Sequence, residues 1–344
     1  MPRYELGNLQ AHPSTTGQPW HVGPFTIRFE EPRLPLYLSL NSTVMRQPLV
    51  TATAETDSEG EALLGVPHLP DERPMGAIWD LLQILSYLTG RRVMLPSDAG
   101  RYVLPRVSAP VVEEFELHRA AWVAWEHRPN LVPPERRTAF LLYLQAVDSV
   151  EAEVRAAMGS VALENAVRDI GAQAPPEPDE PVAEDLRDEL RAVVDARTDL
   201  SSARKSRFRQ KVEDWGAPGL GPLVRRYVVH YGLSNLPDGS DAKKRANHVA
   251  EMRNGLLHTG QLREPTWINR DDEDEQILHR KGATMFYGAQ LIPGLVQRHL
   301  DHLWGIEGFA RPRGNANWLS EYFEHGTYDG QSVEGGSPLS DAPP

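Results

Sequence analysis

The sequence predicts an α+β N-terminal domain followed by an all-α helical bundle, and three observations indicate this fold class. Short β-rich runs bounded by Pro, Gly or Asn occupy the first hundred residues. From about residue 111 the apolar residues recur at helical spacing and the β-rich runs disappear. The 344 residues suffice for two ordinary domains. We expect an N-terminal domain that senses or guides a substrate at 1–110, a helical domain at 111–310 and a mostly flexible tail at 311–344.

The N-terminal domain is expected to contain several strands and one buried helix. The run at 77–88 is apolar on all sides and stops before Gly90, which is typical of a buried helix with a glycine C-cap. Trp79 and Asp80 on this helix are expected to serve packing and capping. The predicted strands are 25–29, 36–40, 49–53 and 92–95.

The second half of the chain is predicted to be helical and to carry one exposed loop. That loop, at 174–181, is acidic and rich in proline, so it does not belong to a core. A long helical stretch precedes it and is expected to break near Gly159. The predicted helices are 111–126, 135–170, 183–197, 202–214, 218–232, 241–259 and 276–304.

Composition and charge exclude several classes of protein. The chain has no cysteine, which excludes disulfides and thiolate metal sites. No apolar run approaches a membrane span and the N-terminus lacks a signal-peptide pattern, so we expect a cytoplasmic protein without a membrane partner. The net charge of −12 opposes indiscriminate nucleic-acid binding, yet residues 201–263 carry +7. A local basic patch is therefore expected on an acidic protein.

The helix predicted at 241–259 has clear start and stop signals. Ser240 is expected to be its N-cap and Gly260 its C′ residue. Helical spacing puts Arg253 within an apolar stripe, where an unpaired guanidinium would be costly. Arg253 must therefore have a partner or a way out of the apolar stripe. The stripe contains Ala242, Ala246, Val249, Met252, Leu256 and Leu257, and a separate polar strip contains Asn247, Glu251, Asn254 and His258.

The run Arg253-Asn254-x-x-x-His258 resembles the signature of the HEPN superfamily, whose members are α-helical and often act as metal-independent ribonucleases. A second Arg-x4-His spacing, Arg225 to His230, lacks the asparagine. The resemblance implies a HEPN-like helical domain and a homodimer with a composite site across the seam. It also implies an endoribonuclease that leaves 2′,3′-cyclic phosphate and 5′-hydroxyl ends, in a bacterial toxin or anti-phage setting. An antitoxin or defence-system protein is an expected further partner.

The residue types suit this chemistry. RNA supplies its own nucleophile, the 2′-hydroxyl, so cleavage needs a proton-transfer group and a fixed cation but no cofactor. His258 is the candidate acid, Arg253 the phosphate-binding cation, and Asn254, four residues before His258, can orient the imidazole or a phosphate oxygen. Candidate further RNA contacts are Arg225, Arg226, Tyr227, Lys243, Lys244 and Arg245. For the run at 225–230, amphipathic packing with an exposed basic edge is the favoured alternative.

Two other functions fit the sequence. A non-catalytic HEPN-like dimer would act as an interaction or nucleotide-binding module, with Arg253 and His258 in structural roles. A metal phosphodiesterase would use His279, His299 and His302, because histidines three apart on a helix can share an ion. The motifs of common NTPases, dehydrogenases and α/β-hydrolases do not occur in the sequence.

Overall fold

The structure is a computed structural model of the chain. It describes residues 1–9, 18–29, 50–58, 60–64, 76–90, 92–95, 113–149, 152–171, 180–216, 219–259, 290–309, 317–328 and 331–332. Within these ranges, a small antiparallel sheet near the N-terminus is followed by a largely helical chain. The coarse order of the predicted fold class, sheet first and helices afterwards, is confirmed.

The N-terminal sheet has four antiparallel strands in the order β1-β4-β3-β2. The strand predicted at 25–29 is confirmed, and the one predicted at 49–53 is shifted to 50–56. The segment 92–95 forms only the isolated bridge between Gly7 and Met94, so that strand prediction is wrong; the prediction at 36–40 lies outside the described residues. The strands are β1 (Arg3–Gly7), β2 (Trp20–Val22), β3 (Phe25–Phe29) and β4 (Val50–Thr56).

Ten α-helices occur in the described ranges. The helices predicted at 77–88, 111–126, 183–197, 202–214, 218–232 and 241–259 are confirmed to within a few residues. The helices are α1 (Ile78–Thr89), α2 (Glu114–His127), α3 (Pro134–Asp148), α4 (Ala152–Gly171), α5 (Glu180–Ala196), α6 (Ser202–Gly216), α7 (Leu220–His230), α8 (Asp241–Thr259), α9 (Ile292–Trp304) and α10 (Trp318–His325). None that the described residues form is both long and apolar enough to cross a membrane.

One face of the sheet packs against α2. The Phe25 ring meets the Trp125 ring edge-on at 5.6 Å, and the Trp20 indole donates a hydrogen bond of 2.9 Å to the buried carboxylate of Glu114. Gly23 turns the β2–β3 hairpin with a φ of 54°, and a Cβ there would collide with the Trp125 ring. The buried apolar side chains of sheet and helices form one continuous cluster.

Helix α1 is buried almost throughout and ends at Gly90, whose φ of 63° confirms the predicted glycine cap. Its Asp80 is fully buried and accepts hydrogen bonds from the backbone amides of Leu63 and Leu64, at 2.9 and 3.0 Å. The Arg128 guanidinium lies 3.4 Å away. Burial raises the pKa of Asp80, although all of these contacts oppose the shift. Asp80 thus joins three segments of the chain, in keeping with its predicted structural role.

The break predicted near Gly159 is wrong. The chain leaves the helix at Ser149, where the backbone is extended, and Gly159 lies inside α4. A Cβ at Gly159 would come within 3.2 Å of the Ile292 side chain on α9. The glycine therefore permits a close approach between two helices, which outweighs its intrinsic cost of about 1 kcal/mol in a helix interior.

Helices α5 and α6 form a hairpin between α4 and α7. Among the described elements, each packs extensively only against the other, and most of their side chains are exposed. Most of the Pro-rich loop predicted at 174–181 lies outside the described residues, while α5 begins at Glu180. This hairpin is therefore an arm with large solvent-exposed surfaces.

Part of the segment 311–344, which is expected to be mostly flexible, forms regular secondary structure. Helix α10 buries Leu319, Tyr322 and Phe323, and packs against α8. A two-stranded hairpin, β5 (Thr327–Tyr328) with β6 (Gln331–Ser332), follows it. Four apolar residues in six positions are too short a pattern to stand out in a Gly- and Ser-rich stretch, so tertiary packing decides the helix.

Asp148 gives the fold a pH dependence that can be measured. Its carboxylate lies 3.3 Å from the Arg92 guanidinium, yet burial raises its pKa to about 6. Because the folded state holds this proton more tightly than the unfolded state does, its contribution to stability falls as pH rises from about 4 to 6. In urea unfolding, lowering the pH from 7 to 4.5 should stabilise the wild type relative to Asp148→Asn by at most about 3 kcal/mol.

A matched control for this experiment is Asp188→Asn, which alters an exposed carboxylate on α5. Its difference from the wild type should stay nearly constant over the same pH range. If the wild type instead loses stability relative to Asp148→Asn when the pH is lowered, the pKa of Asp148 is not raised by burial.

Candidate functional site

Helix α8 carries the Arg253-Asn254-x-x-x-His258 run in its last two turns, as predicted. Its start is also as predicted: the Ser240 hydroxyl accepts a 3.2 Å hydrogen bond from the Lys243 backbone amide, and Gly239 turns the chain with a φ of 75°. The predicted cap residue Gly260 lies outside the described residues. The run is therefore set on a rigid helix and not on a loop.

The apolar stripe of α8 is buried with one exception. Leu257 is 39 % exposed, although it immediately precedes His258. The predicted polar strip faces outward at Glu251 and Asn254. The buried members of the stripe are Ala242, Ala246, Val249, Met252 and Leu256.

Arg253 has the partner that its position requires. Its guanidinium, with the side chain 18 % exposed, pairs with the Glu164 carboxylate on α4. Burial lowers the pKa of Arg253, but the ordinary arginine value is so high that the group stays protonated at neutral pH. The Glu164–Arg253 contact ties the end of α8 to the second half of α4.

Glu164 is shared between two arginines. Its Oε1 accepts a 2.9 Å hydrogen bond from Arg168, one helical turn later, while its Oε2 faces Arg253. Two cations thus surround one carboxylate, so the cluster carries a net positive charge. Such a cluster attracts an anion even with Glu164 in place.

Asn254 lies beside Arg253 on the exposed side of α8. Its Oδ1 accepts a 3.0 Å hydrogen bond from Nη1 of Arg253, which leaves the amide nitrogen to donate outward. Two turns earlier on α8, the Asn247 Oδ1 accepts a 2.8 Å hydrogen bond from Arg225 on α7. Two arginine–asparagine pairs therefore occur along this part of the α7–α8 surface.

His258 belongs to α8, but its side chain lies outside the described part of the structure. Its position four residues after Asn254 keeps the two on one side of the helix. The predicted closeness of the imidazole to Asn254 therefore stays a prediction.

The structure corrects two of the predicted RNA contacts. Tyr227 is fully buried and its hydroxyl donates to the Leu295 carbonyl, so no ring face is available for a base; burial also raises the pKa of this phenol. Arg245 is 4 % exposed and donates a 2.9 Å hydrogen bond to the Phe323 carbonyl of α10. A buried polar group needs a hydrogen-bond partner. Both residues find theirs on another helix, so they join elements of the core and are not free to contact RNA.

The other predicted RNA contacts lie nearer to solvent. Arg225 and Arg226 are half-buried on α7. Lys243 and Lys244 each sit 2.6 Å from a carboxylate, Asp238 and Asp241 respectively. The structure thus brings Arg225 close to the polar side of α8, while the two lysines are already paired near the helix start.

A second polar cluster lies between α3, α4, α7 and α9, and sequence reasoning missed it. Asp169 accepts two 3.0 Å hydrogen bonds from Arg136 and faces Nε2 of His299 at 3.4 Å, while Nδ1 of His299 lies 2.8 Å from the Tyr231 hydroxyl. Burial alone would raise the pKa of Asp169, but its contacts with His299 and Arg136 outweigh this and lower it. These residues come from distant parts of the chain, so no local pattern could group them.

The predicted metal ligands are not brought together. His299 is fully buried against Tyr231 and Asp169, and His302 pairs with Glu307 at 2.9 Å on the exposed side of α9. His279 lies outside the described residues. Within the described part of the chain, no group of three His, Asp or Glu side chains is placed to hold a metal ion.

Comparison of the chain with protein-family models, curated proteins and solved structures found no match. The resemblance to the HEPN superfamily therefore rests on residues 253–258 alone.

The shared carboxylate of Glu164 should matter for stability. Glu164→Ala would leave the partly buried Arg253 and its neighbour Arg168 without their counter-charge, so the free energy of unfolding should fall by about 1–3 kcal/mol. Urea unfolding at pH 7 measures this change. Asp199→Ala is the control: the pair between Asp199 and Arg197 is exposed, so its loss should change the free energy of unfolding far less than Glu164→Ala does. Equal effects of the two substitutions would contradict this role.

Proposed function

We propose that this chain is a metal-independent endoribonuclease of the HEPN type, with Arg253, Asn254 and His258 in its site. One observation supports this above all others: Arg253 and Asn254 are hydrogen-bonded to each other where α8 reaches solvent. A fixed guanidinium beside an outward amide can receive two oxygens of a phosphodiester. Arg253 and Asn254 precede the candidate proton-transfer group, His258, by five and four residues.

The proposed reaction uses the substrate's own nucleophile. The 2′-oxygen attacks the adjacent phosphorus, the bond from phosphorus to the 5′-oxygen breaks, and the products are a 2′,3′-cyclic phosphate and a 5′-hydroxyl. The 2′-hydroxyl loses its proton to solvent, and protonated His258 gives one to the departing 5′-oxygen. The last turn of α8 favours protonated imidazole because the helix dipole is negative there. Arg253 stabilises the charge that gathers on the phosphoryl oxygens.

Glu164 sets a condition on this mechanism. Since its carboxylate already pairs with Arg253, a phosphate must share or displace that contact. Arg168 can retain Glu164 when Arg253 turns toward substrate, because the two arginines use different carboxylate oxygens. The site would then be restrained until RNA binds.

The active form is proposed to be a homodimer in which each copy contributes to the other's site. This dimer follows from the resemblance; Leu257, an apolar side chain that is 39 % exposed, lies next to His258 at this end of α8. A role in bacterial defence, with an antitoxin or a defence-system partner, remains an expectation that follows from the resemblance.

The test is cleavage of an end-labelled RNA of mixed sequence by the full chain in excess EDTA. We expect fragments that end in a cyclic phosphate, and no cleavage of single-stranded DNA of the same sequence, because DNA lacks the 2′-hydroxyl. Size-exclusion chromatography with light scattering gives the oligomeric state of the same sample. An intact dimer that leaves RNA uncut, or cleavage that EDTA abolishes, would refute the proposal.

The Glu164–Arg253 pair also favours the second candidate, a non-catalytic dimer that serves as an interaction or nucleotide-binding module. In that function Arg253 is structural, so Arg253→Ala would reduce stability or dimer formation together with any binding. The ribonuclease proposal instead expects Arg253→Lys to form the same dimer and to cut RNA much more slowly, since an ammonium cannot make the two parallel contacts of a guanidinium.

A further inference from the structure

The outer side of α6 differs from the rest of this acidic chain. From Ser202 to Val212 the helix carries five cations and no carboxylate, and two acids, Glu213 and Asp214, follow near its end; the whole chain has a net charge of −12. Because α6 packs extensively only against α5 among the described elements, most of its surface faces solvent. The helix is thus a basic surface on an exposed arm.

Two of the five cations serve the hairpin itself. Lys205 donates a 2.8 Å hydrogen bond to the Asp195 carbonyl at the end of α5, and Arg209 donates one of 2.7 Å to the Asp195 carboxylate. Both residues therefore hold the two helices together.

The remaining three cations lie on another side of the helix. Arg204, Arg207 and Lys211 are spaced i, i+3 and i+7, which puts them within an arc of about 60° and a length of about 10 Å. All three are exposed, and no carboxylate among the side chains that the structure describes pairs with them. Three neighbouring cations that no described carboxylate neutralises can pair with successive phosphates of a polyanion.

Phe208 borders this arc. Its ring is 46 % exposed, one residue from Arg207 and one turn from Arg204 and Lys211. An exposed aromatic ring among cations is the combination that single-stranded nucleic acids use, with the cations on phosphates and the ring under a base. If this side of α6 served only to face solvent, an exposed phenyl ring among its cations would serve no purpose.

We propose that Arg204, Arg207, Phe208 and Lys211 form a binding surface for single-stranded RNA. The three cations contact successive parts of the phosphate backbone, and Phe208 stacks on a base. The acidic residues of α5, such as Asp185, Asp188 and Glu189, repel the strand and confine it to the α6 side. The choice of RNA over other polyanions rests on the proposed ribonuclease function, but the surface itself does not depend on cleavage.

The test is fluorescence anisotropy with labelled oligo-U RNA and oligo-dT DNA at several salt concentrations. The RNA is titrated with the full chain carrying His258→Ala, so that it is not cut. The DNA is titrated with the wild type. The first variant is Arg207→Gln/Lys211→Gln. The matched control is Lys205→Gln/Arg209→Gln, which removes the same charge from the same helix.

We expect the first variant to bind oligo-U more weakly and its slope of log Kobs against log[salt] to be smaller by about 1.4, since each phosphate contact contributes about 0.7 for single strands. The control variant, Lys205→Gln/Arg209→Gln, should keep most of the wild-type slope of log Kobs against log[salt]. Phe208→Ala should weaken binding about tenfold or more with little change in slope, and Phe208→Tyr should retain it. Preference for oligo-U over oligo-dT would identify RNA as the ligand, whereas equal binding would restrict the claim to single strands in general and overturn the RNA assignment.

Two outcomes would overturn the binding surface. One is an equal loss of affinity in the two charge variants, with circular dichroism showing that both retain their helices. The other is an altered oligomeric mass of Arg207→Gln/Lys211→Gln with unchanged RNA binding. The basic surface of α6 would then bind the acidic α5 of a second copy of the chain. A chain that binds oligo-U at this surface but cuts no RNA would refute the proposed function and leave this inference standing.

Discussion

Replacing His258 by alanine should lower the rate of RNA cleavage in EDTA by at least about 100-fold, while the protein remains the same dimer. A positioned acid or base contributes roughly 10²–10⁴ to such a rate, and His258 is the one imidazole in the 253–258 run, the side chain most often used for proton transfer. The measurement is the single-turnover rate on a labelled RNA at saturating protein, with light scattering of both samples.

The control for this experiment is His302→Ala. His302 is an exposed histidine on α9 that pairs with Glu307, so its loss should leave the cleavage rate within about twofold. Retention of more than a tenth of the wild-type rate by His258→Ala would exclude this histidine as the proton-transfer group.

Replacing Asp80 by alanine should lower the free energy of unfolding by about 3–5 kcal/mol. The substitution leaves the Arg128 guanidinium and the backbone amides of Leu63 and Leu64 without the carboxylate that they share. The loss of stability comes from the groups that are left without an acceptor. It does not come from losing the charge of Asp80, because burial itself disfavours the charged form. Urea unfolding followed by circular dichroism measures it.

Two comparisons sharpen the Asp80 experiment. Asp80→Asn keeps one acceptor and should lose less stability than Asp80→Ala. Asp188→Ala removes an exposed carboxylate and should change the free energy of unfolding by less than about 1 kcal/mol. A loss under about 1 kcal/mol for Asp80→Ala would show that these segments are held together by apolar packing alone.

Much of the helical half could be predicted because its signals are local. The bounds of α8 follow from a turn, a serine cap and helical apolar spacing, all within twenty residues. The interruption near residue 150 could not be predicted in the same way. Gly159 looks like a helix breaker in the sequence, and only the closeness of Ile292 on α9 shows why a glycine suits that place.

The candidate site was predictable in its residues but not in its partners. Spacing alone indicated that Arg253 needs a counter-charge, yet nothing in the sequence pointed to Glu164, 89 positions earlier. For Tyr227 the sequence allowed two interpretations, stacking on a base or amphipathic packing beside an exposed basic edge. The buried ring agrees with packing and not with stacking.

The continuous core described above limits how the chain can be divided. Sheet residues such as Phe25 and the α2 residue Trp125 belong to the same apolar cluster as Trp304 on α9. A fragment that starts at residue 111 would therefore expose the surfaces on which the sheet and α1 now rest, and such fragments aggregate. The sheet and α1 thus complete the core on which the bundle packs, and limited proteolysis in the loops should not release an independently folded helical half.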